Sequence, residues 1–199
     1  MRLVVATKNR KKLEEIKDIL RDLDLRIISL ADFSRVRRII ENGKTFKANA
    51  IKKAVKIAQF TKQFTLGEDS GLCVDALGGA PGIYSSRFSG KSKNDLQNNF
   101  KLLKLLKDTP CTKRKAHYVC AVALADKDGF IGVVEGRCHG LIGFALKGER
   151  RFGYDPLFVI PKYKKTFAQL GEKIKHKMSH RYHALKNEKM IIKKYIEKH

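Results

Sequence analysis

The sequence lacks the features that would mark a membrane-spanning, secreted or zinc-binding protein. No apolar run approaches the roughly 18 residues needed to span a bilayer. The opening stretch, MRLVVATKNR, turns basic after four or five apolar positions, which is too short for a secretory signal and predicts a buried strand. The four cysteines form no C-x-x-C pair and have no histidine at zinc-ligand spacing. We therefore expect a soluble, cytoplasmic protein without disulfides or a membrane partner.

Acidic residues are also scarce: 20 Asp and Glu face 43 Lys and Arg, which gives a net charge of +23. This excess favours either an acidic partner, such as nucleic acid, anionic lipid or a phosphorylated small molecule, or a lysine-rich solvated surface. The sequence has no RNP-type aromatic run, zinc finger or basic-zipper heptad, so nucleic acid is not the expected partner. With 43% hydrophobic residues, the 199-residue chain is expected to form a single domain over residues 1–199.

The order of apolar patterns predicts an α/β fold with a mixed β-sheet flanked by helices. RLVVAT predicts a strand, and LEEIKDILRDL continues with helical spacing after a polar loop. Two β-rich runs around the turn DKDG predict an antiparallel hairpin. Crossovers and a hairpin in one chain indicate a mixed sheet. Further strands are predicted in FTLGED and DPLFVIP, and further helices in FKANAIKKAVKIAQF, in NDLQNNFKLLKLLKD with Asn94 or Asp95 as N-cap, and in the tail from about Arg181.

Two adjacent acids, Glu68 and Asp69 in LGEDSG, stand where the predicted strand ends. Carboxylates at a strand end can bind Mg²⁺, because hard cations prefer oxygen ligands, and one of them can deprotonate a water. The alternative is an ordinary strand end at which Asp69 caps a turn. Glu41 in ENGKTF is a surface acid unless a metal links it to Asp69.

The loop ATKNRKK, residues 6–12, joins the first strand to the first helix and is strongly basic. Unpaired N–H groups at a helix start and the positive end of its dipole favour phosphate. The loop has no glycine, so it is not a Walker A loop. A solvated basic turn is the alternative.

A fourth candidate joins FGYDP, residues 152–156, with KIKHKMSHR, residues 173–181. An aromatic ring beside a glycine can stack on a base, an aspartate can read the edge of that base, and arginine offers a planar fork of donors. The alternatives are a hydrophobic corner and a basic helix start. Together, the basic loop, the acids, the aromatic corner and the Lys/His/Arg cluster favour one ligand, a nucleoside triphosphate with Mg²⁺.

The ordered motifs resemble those of the inosine triphosphate pyrophosphatase family, whose members hydrolyse non-standard purine nucleoside triphosphates such as ITP, dITP and XTP. The resemblance runs from end to end of the chain. The most specific stretch is GEDSGLCVDALGGAPGIYSSRFSG. The others, in order along the chain, are ATKNRKKLEEI, ENGKTFKANAIKKA, RFGYDPLFVIP and TFAQL followed by KMSHRYHAL.

The resemblance implies roles for particular residues. Asp69 would be the general base and, with Glu41, a ligand of Mg²⁺. Phe152 to Asp155 would form the base pocket. Lys175 (rather than Lys173 or Lys177), His180 and Arg181 would complete it and bond the 6-oxo group. The implied substrate contacts are Thr7, Lys8, Asn9, Arg10, Lys11, Lys12, Lys53, Ser70, Phe152, Gly153, Tyr154, Asp155, Lys175, His180 and Arg181.

The resemblance also implies an elongated mixed sheet with two lobes, a central substrate cleft and a homodimer. Asp69 would activate water for attack on the α–β phosphoanhydride, giving the nucleoside monophosphate and pyrophosphate. Two alternatives remain: a pyrophosphatase for modified pyrimidine or methylated nucleotides, and a basic nucleic-acid-binding module. The second predicts binding with a steep salt dependence and no metal-dependent hydrolysis.

Overall fold

The computed structural model describes residues 1–33, 36, 39–90, 93–149 and 152–198. Within these ranges the chain forms a seven-stranded mixed sheet flanked by helices, which confirms the predicted α/β class. The strands are β1 (Arg2–Val5), β2 (Arg26–Ser29), β3 (Thr65–Val74), β4 (Lys115–Asp126), β5 (Gly129–Ile142), β6 (Phe158–Ile160) and β7 (Lys165–Thr166). The helices are α1 (Arg10–Leu20), α2 (Phe46–Thr61), α3 (Asp95–Leu105), α4 (Phe167–Leu170), α5 (Glu172–Lys175) and α6 (His180–Lys198). No helix in the described part is long and apolar enough to cross a membrane.

The sheet runs in the order β2-β1-β3-β4-β5-β6-β7. Strand β1 pairs in parallel with β2 and β3, whereas β6 pairs antiparallel with both β5 and β7. Only Lys127 and Asp128 separate the neighbouring strands β4 and β5, so these strands form an antiparallel hairpin, as predicted. The Asp126 carboxylate closes the turn by accepting the N–H groups of Asp128 and Gly129, at 2.9 and 3.1 Å.

The chain divides into two compact units. The first comprises Met1–Asp69, Cys120–Gly136 and His180–His199, and the second comprises Ser70–Val119 and Arg137–Ser179. The first therefore contains α1, α2 and α6, and the second contains α3, α4 and α5. The expected single domain and central cleft stay predictions.

Helices cover both faces of the strands in the first unit. On one face α1 and α6 pack over alternate apolar residues of β1, β3 and β4. On the other face α2 packs through Ala50, Ala54 and Ala58 against small residues of β4. The β4 residues in this second contact are Ala121, Ala123 and Ala125. Small side chains on both partners allow the α2 backbone to come close to the sheet.

Two glycines permit the closest contacts between helix and sheet. A Cβ at Gly67 of β3 would lie 2.3 Å from the carbonyl oxygen of Ala50 in α2. A Cβ at Gly136 of β5 would lie 2.2 Å from the backbone nitrogen of Ala184 and 2.3 Å from the carbonyl oxygen of His180. No real Cβ tolerates such distances, so glycine at these positions fixes where α2 and the start of α6 lie on the sheet.

The second unit has its own core, in which residues of β3, β4 and β5 pack with α3, β6 and α4. Aromatic side chains fill much of it: the rings of Tyr118 and Phe158 lie 4.6 Å apart, and those of Phe158 and Phe167 lie 5.3 Å apart. Of the two N-cap candidates for α3, the cap is Asn94, whose side chain accepts the N–H of Gln97 at 3.0 Å.

Strand β3 corrects one prediction. The sequence places a strand end at Glu68 and Asp69, but the strand continues to Val74, so both acids lie in its interior. The prediction was wrong because two charges followed by a Ser-Gly pair are typical of a turn. In the structure, Lys12 and Lys53 compensate the charges and allow them to stay within the sheet.

A different buried acid lies in the core of the first unit. Glu188 is 0% exposed, on the same helix face as the core residues Ala184 and Ile192. Neither of its carboxylate oxygens has a hydrogen-bond partner within the described ranges. Burial raises its pKa to about 8. The folded protein therefore holds Glu188 in its protonated form at neutral pH.

We expect Glu188 to make folding less favourable as the pH rises from about 4.5 to about 8. In that range the folded state keeps a proton that the unfolded state releases, which lowers the free energy of unfolding by up to about 1.4 kcal/mol per pH unit. Glu188→Leu should abolish this slope and raise stability at neutral pH. Urea unfolding at several pH values tests this, with the exposed Glu197→Leu on the same helix as control. An unchanged slope in Glu188→Leu would refute the expectation.

Candidate active site

The two adjacent acids of β3 face opposite sides of the sheet, because strand side chains alternate. Glu68 contacts Lys12 of α1 and Arg181 of α6, and Asp69 contacts Asn49 and Lys53 of α2. All of these residues belong to the first unit. Separate cations of the protein, Lys12 and Arg181 on one side and Lys53 on the other, therefore compensate the charges of Glu68 and Asp69. No metal between the two acids is needed to relieve their repulsion.

Asp69 lies in a buried polar cluster beneath α2. Its Oδ2 accepts the Asn49 side-chain N–H at 3.0 Å, and its Oδ1 lies 3.2 Å from Lys53 Nζ. Lys53 Nζ also lies 3.2 Å from Glu41 Oε1 and donates to the carbonyl oxygen of Glu68 at 2.7 Å. Burial raises the pKa of Asp69 above its ordinary value, although Lys53 opposes this. A carboxylate with a raised pKa is a stronger base than an exposed one.

The Lys53 ammonium is held by carboxylates on two sides. Burial opposes its charge, but Asp69, Glu41 and Glu68 outweigh that effect and raise the pKa of Lys53. Lys53 therefore stays protonated and links the loop that carries Glu41 to strand β3.

Glu68 is the centre of a second cluster. Its Oε2 lies 2.9 Å from Lys12 Nζ, and its Oε1 accepts from Arg181 Nη2 at 3.1 Å. Arg181, which is 1% exposed, also donates to Glu15. Burial disfavours the ionised form of Glu68, but Lys12 and Arg181 outweigh burial and hold its pKa well below the usual range. The Cys120 thiol lies 3.5 Å from Glu68 Oε1.

The basic loop forms a capped helix start. Asn9 is the N-cap of α1, with its side-chain oxygen accepting the Lys12 N–H at 3.2 Å, and its own N–H donates to Thr7 Oγ1 at 3.1 Å. Lys8, Arg10 and Lys11 are exposed, whereas Lys12 is partly buried and directed at Glu68. This loop combines a helix start with several cationic residues, a composition suited to phosphate.

Two carboxylates that could serve as magnesium ligands belong to one cluster. Glu41 Oε1 and Asp69 Oδ1 each lie 3.2 Å from the Lys53 ammonium nitrogen. Within the described residues, no group of three or more His, Cys, Asp or Glu side chains forms a metal cage. Mg²⁺ usually binds one or two carboxylates and completes its shell with water and substrate phosphates. The donor set is therefore of the magnesium type.

Of the predicted base-pocket residues, Phe152 to Asp155 and Lys175 lie in the second unit, and His180 and Arg181 lie in the first. Asp155 Oδ2 accepts from Lys175 Nζ at 2.6 Å, and the same ammonium lies 5.1 Å from the Phe152 ring centroid. Gly153, with φ of +55°, adopts a left-handed conformation. Tyr154 is a core residue whose hydroxyl donates to the carbonyl oxygen of Ser85 at 2.8 Å. Of these aromatic rings, Phe152 is the more accessible.

The structure brings Lys175, of the three candidate lysines, to the FGYDP motif. Lys175 is 8% exposed and pairs with Asp155, whereas Lys173 and Lys177 are exposed. Ser70 follows Asp69 in β3 and belongs to the second unit. His180 begins α6 in the first unit and is 5% exposed.

The sequence profile of the Ham1 family matches residues 3–190. The chain belongs to the Ham1 family. A dITP/XTP pyrophosphatase of Desulforamulus reducens is 47% identical over 192 residues, which are 96% of this chain and 96% of that protein. The resemblance to a triphosphate pyrophosphatase family is thereby confirmed.

Solved Ham1 structures have the same fold. A HAM1 protein from Coxiella burnetii superposes with a TM-score of 0.89 at 36% identity, covering 98% of this chain and 99% of that one. The Ham1 protein of Staphylococcus aureus gives a TM-score of 0.87 at 36% identity, covering 98% of this chain and 100% of that one. The seven-stranded sheet is therefore that of the Ham1 fold.

Sequence reasoning missed two residues in the candidate site of this Ham1 chain. Glu15 pairs with Arg181 from the buried face of α1, and Asn49 bonds Asp69 from α2. A signal existed for Asn49: it precedes Lys53 by one helical turn, so two polar residues interrupt the face that Ala50 and Ala54 otherwise make apolar. Buried polar residues on an apolar helix face need a partner, but this pattern does not say which residue the partner is.

Proposed function

We propose that this protein hydrolyses non-standard purine nucleoside triphosphates such as ITP, dITP and XTP to the nucleoside monophosphate and pyrophosphate. The observation that carries the proposal is a buried cluster in which Lys53 joins Glu41 and Asp69, with the basic loop in the same unit. Membership of the Ham1 family and relatives named dITP/XTP pyrophosphatase support the substrate class.

In this proposal Glu41 and Asp69 hold Mg²⁺, which neutralises charge on the phosphates when bound. Asp69 accepts a proton from the attacking water, and the water oxygen bonds to the α-phosphorus. The bond between the α-phosphorus and the α–β bridging oxygen then breaks, which releases pyrophosphate. Lys12 and Lys53 supply fixed positive charge for the polyphosphate, together with the first-turn amides of α1.

We propose that Phe152, Asp155 and Lys175 of the second unit contribute to the base pocket. His180 and Arg181 of the first unit stay predicted substrate contacts. Phe152 offers a ring for stacking, and the cations offer donors to a 6-oxo group. When ATP presents a 6-amino group, buried donors would face another donor, and an unpaired buried polar group costs about 1–3 kcal/mol. That difference predicts rejection of adenine by about tenfold to a few hundredfold.

The test is a panel of triphosphates with pyrophosphate detection, with and without Mg²⁺. ITP, dITP and XTP should release pyrophosphate only with the metal, and ATP should react far more slowly. Methylated and modified pyrimidine triphosphates belong in the panel, because preferential turnover of these would replace the proposed substrate class. Release of orthophosphate in place of pyrophosphate would contradict the proposed bond cleavage.

We also propose a homodimer in the cytoplasm, where nucleotide pools are used. Large apolar side chains are exposed in the second unit, which suits a surface covered by another copy. They include Tyr84, Phe100 and Phe144, which are 56%, 49% and 61% exposed. Light scattering after size-exclusion chromatography should give twice the mass of one chain, 22.6 kDa, and a monomer at high concentration would contradict the dimer.

A further inference from the structure

The loop that carries Glu41 is fastened to α2 by an asparagine. Asn49, which is 1% exposed, accepts the backbone N–H of Gly43 on its Oδ1 at 2.8 Å. Gly43 lies two residues beyond Glu41 in the chain. A Cβ at Gly43 would lie 2.7 Å from Asn49 Oδ1, so the close approach depends on glycine there.

The same amide holds the second carboxylate. Asn49 Nδ2 donates to Asp69 Oδ2 at 3.0 Å, so one side chain bonds both the Glu41 loop and Asp69. Only one orientation of the amide satisfies both contacts, because Gly43 requires an acceptor and Asp69 requires a donor. Lys53, one helical turn later, contacts Glu41 Oε1 and Asp69 Oδ1 and also donates to the carbonyl oxygen of Glu68, but it has no bond to the backbone at Gly43.

We propose that Asn49 is a positioning residue that sets the spacing between Glu41 and Asp69 and thereby the affinity of the site for a divalent cation. The inference rests on the proposed function. Metal affinity depends on holding both carboxylates at the geometry that the ion demands, and Mg²⁺ tolerates little departure from octahedral angles. Supports behind the ligands typically change metal affinity by about 10–100-fold when removed.

The test measures Mn²⁺ binding to the whole protein without nucleotide, by electron paramagnetic resonance or calorimetry. Asn49→Ala should weaken Mn²⁺ binding by about tenfold or more. At saturating ITP and low metal concentration, Asn49→Ala should lower kcat, and excess Mn²⁺ should restore kcat. The KM for ITP should change little. Asn49→Leu, which keeps most of the side-chain volume, is the second variant in case alanine destabilises the fold.

A matched control exists in the second unit. Asn98 of α3 is also 1% exposed, and its Oδ1 accepts the backbone N–H of Ser89 at 2.7 Å, so it fastens a loop in the same way without contacting a carboxylate. Asn98→Ala should lower thermal stability to a similar degree and leave Mn²⁺ affinity unchanged.

The inference would be overturned if folded Asn49→Ala or Asn49→Leu protein bound Mn²⁺ as tightly as the parent. It would also be overturned if Asn98→Ala lost as much Mn²⁺ affinity as Asn49→Ala. Failure of the parent to hydrolyse ITP would instead reject the proposed function, because the Mn²⁺ measurement contains no nucleotide. The two failures are therefore distinguishable.

Discussion

Replacing Asp69 by asparagine is expected to lower kcat for ITP by about a thousandfold and to leave the fold intact. The substitution removes the proposed base and one metal ligand but keeps the size of the side chain, and general base catalysis alone contributes about 10²–10⁴-fold. The amide can still hydrogen-bond to Asn49, which contacts Asp69 at 3.0 Å in the parent. Pyrophosphate release at saturating ITP and Mg²⁺ measures the effect, and circular dichroism checks the fold.

Asp75→Asn is the control for this variant. Asp75 lies just beyond the end of β3, and its side chain is 57% exposed, so the substitution removes the same kind of charge outside the site. It should retain near-parental turnover. Near-parental turnover in Asp69→Asn would show that the proton acceptor is another group.

Replacing Glu68 by glutamine is expected to reduce both stability and substrate recognition. The carboxylate compensates Lys12 and Arg181, at 2.9 and 3.1 Å, in a setting where Glu68 is 4% exposed. Removing one partner of a buried ion pair costs about 3–5 kcal/mol when a buried charge is left uncompensated. We expect a loss below that range here, because Arg181 keeps Glu15 as a partner and Lys12 is partly exposed. Lys12 and Arg181 would then lose the anchor that fixes both, and we expect kcat/KM for ITP to fall by about a hundredfold.

The matched control is Glu135→Gln. Glu135 pairs with Lys47 at 3.0 Å, but the side chains are 25% and 51% exposed, and such surface pairs contribute about 0–1 kcal/mol. Urea unfolding and kcat/KM should therefore change little in the control. Equal, small effects in Glu68→Gln and Glu135→Gln would mean that Glu68 does not organise the cluster.

The sequence predicted the fold class well because its signals are local. Helical spacing and the DKDG turn identified α1, α2, α3, α6 and the hairpin, and each of these is confirmed within one turn or so at its ends. The end of β3 was predicted wrongly because the charged and small polar residues from Glu68 to Gly71 are typical of a turn. Whether Glu68 and Asp69 sit inside a strand depends on Lys12 and Lys53, which come from distant parts of the chain.

The candidate site was predictable to the extent that motifs identify residue types. Asp69, Glu41 and Lys53 were named from the sequence, and the structure brings these three together. The sequence did not reveal which residues pair with Asn49 and Glu15. Asp69 lies 20 residues from Asn49, and Arg181 lies 166 residues from Glu15. Pairings over such separations follow from the packing of helices on the sheet at Gly67 and Gly136 rather than from any local pattern.

The position of a bound metal is the most direct test of whether Glu41 and Asp69 bind one divalent cation. A crystal of the protein with Mn²⁺ and a slowly hydrolysed ITP analogue, measured near the manganese absorption edge, gives that position from anomalous scattering. We expect a peak within about 2.5 Å of oxygens from both Glu41 and Asp69, with analogue phosphate oxygens completing the shell. A peak bound by phosphate oxygens alone, with Lys53 still joining the two carboxylates, would contradict it.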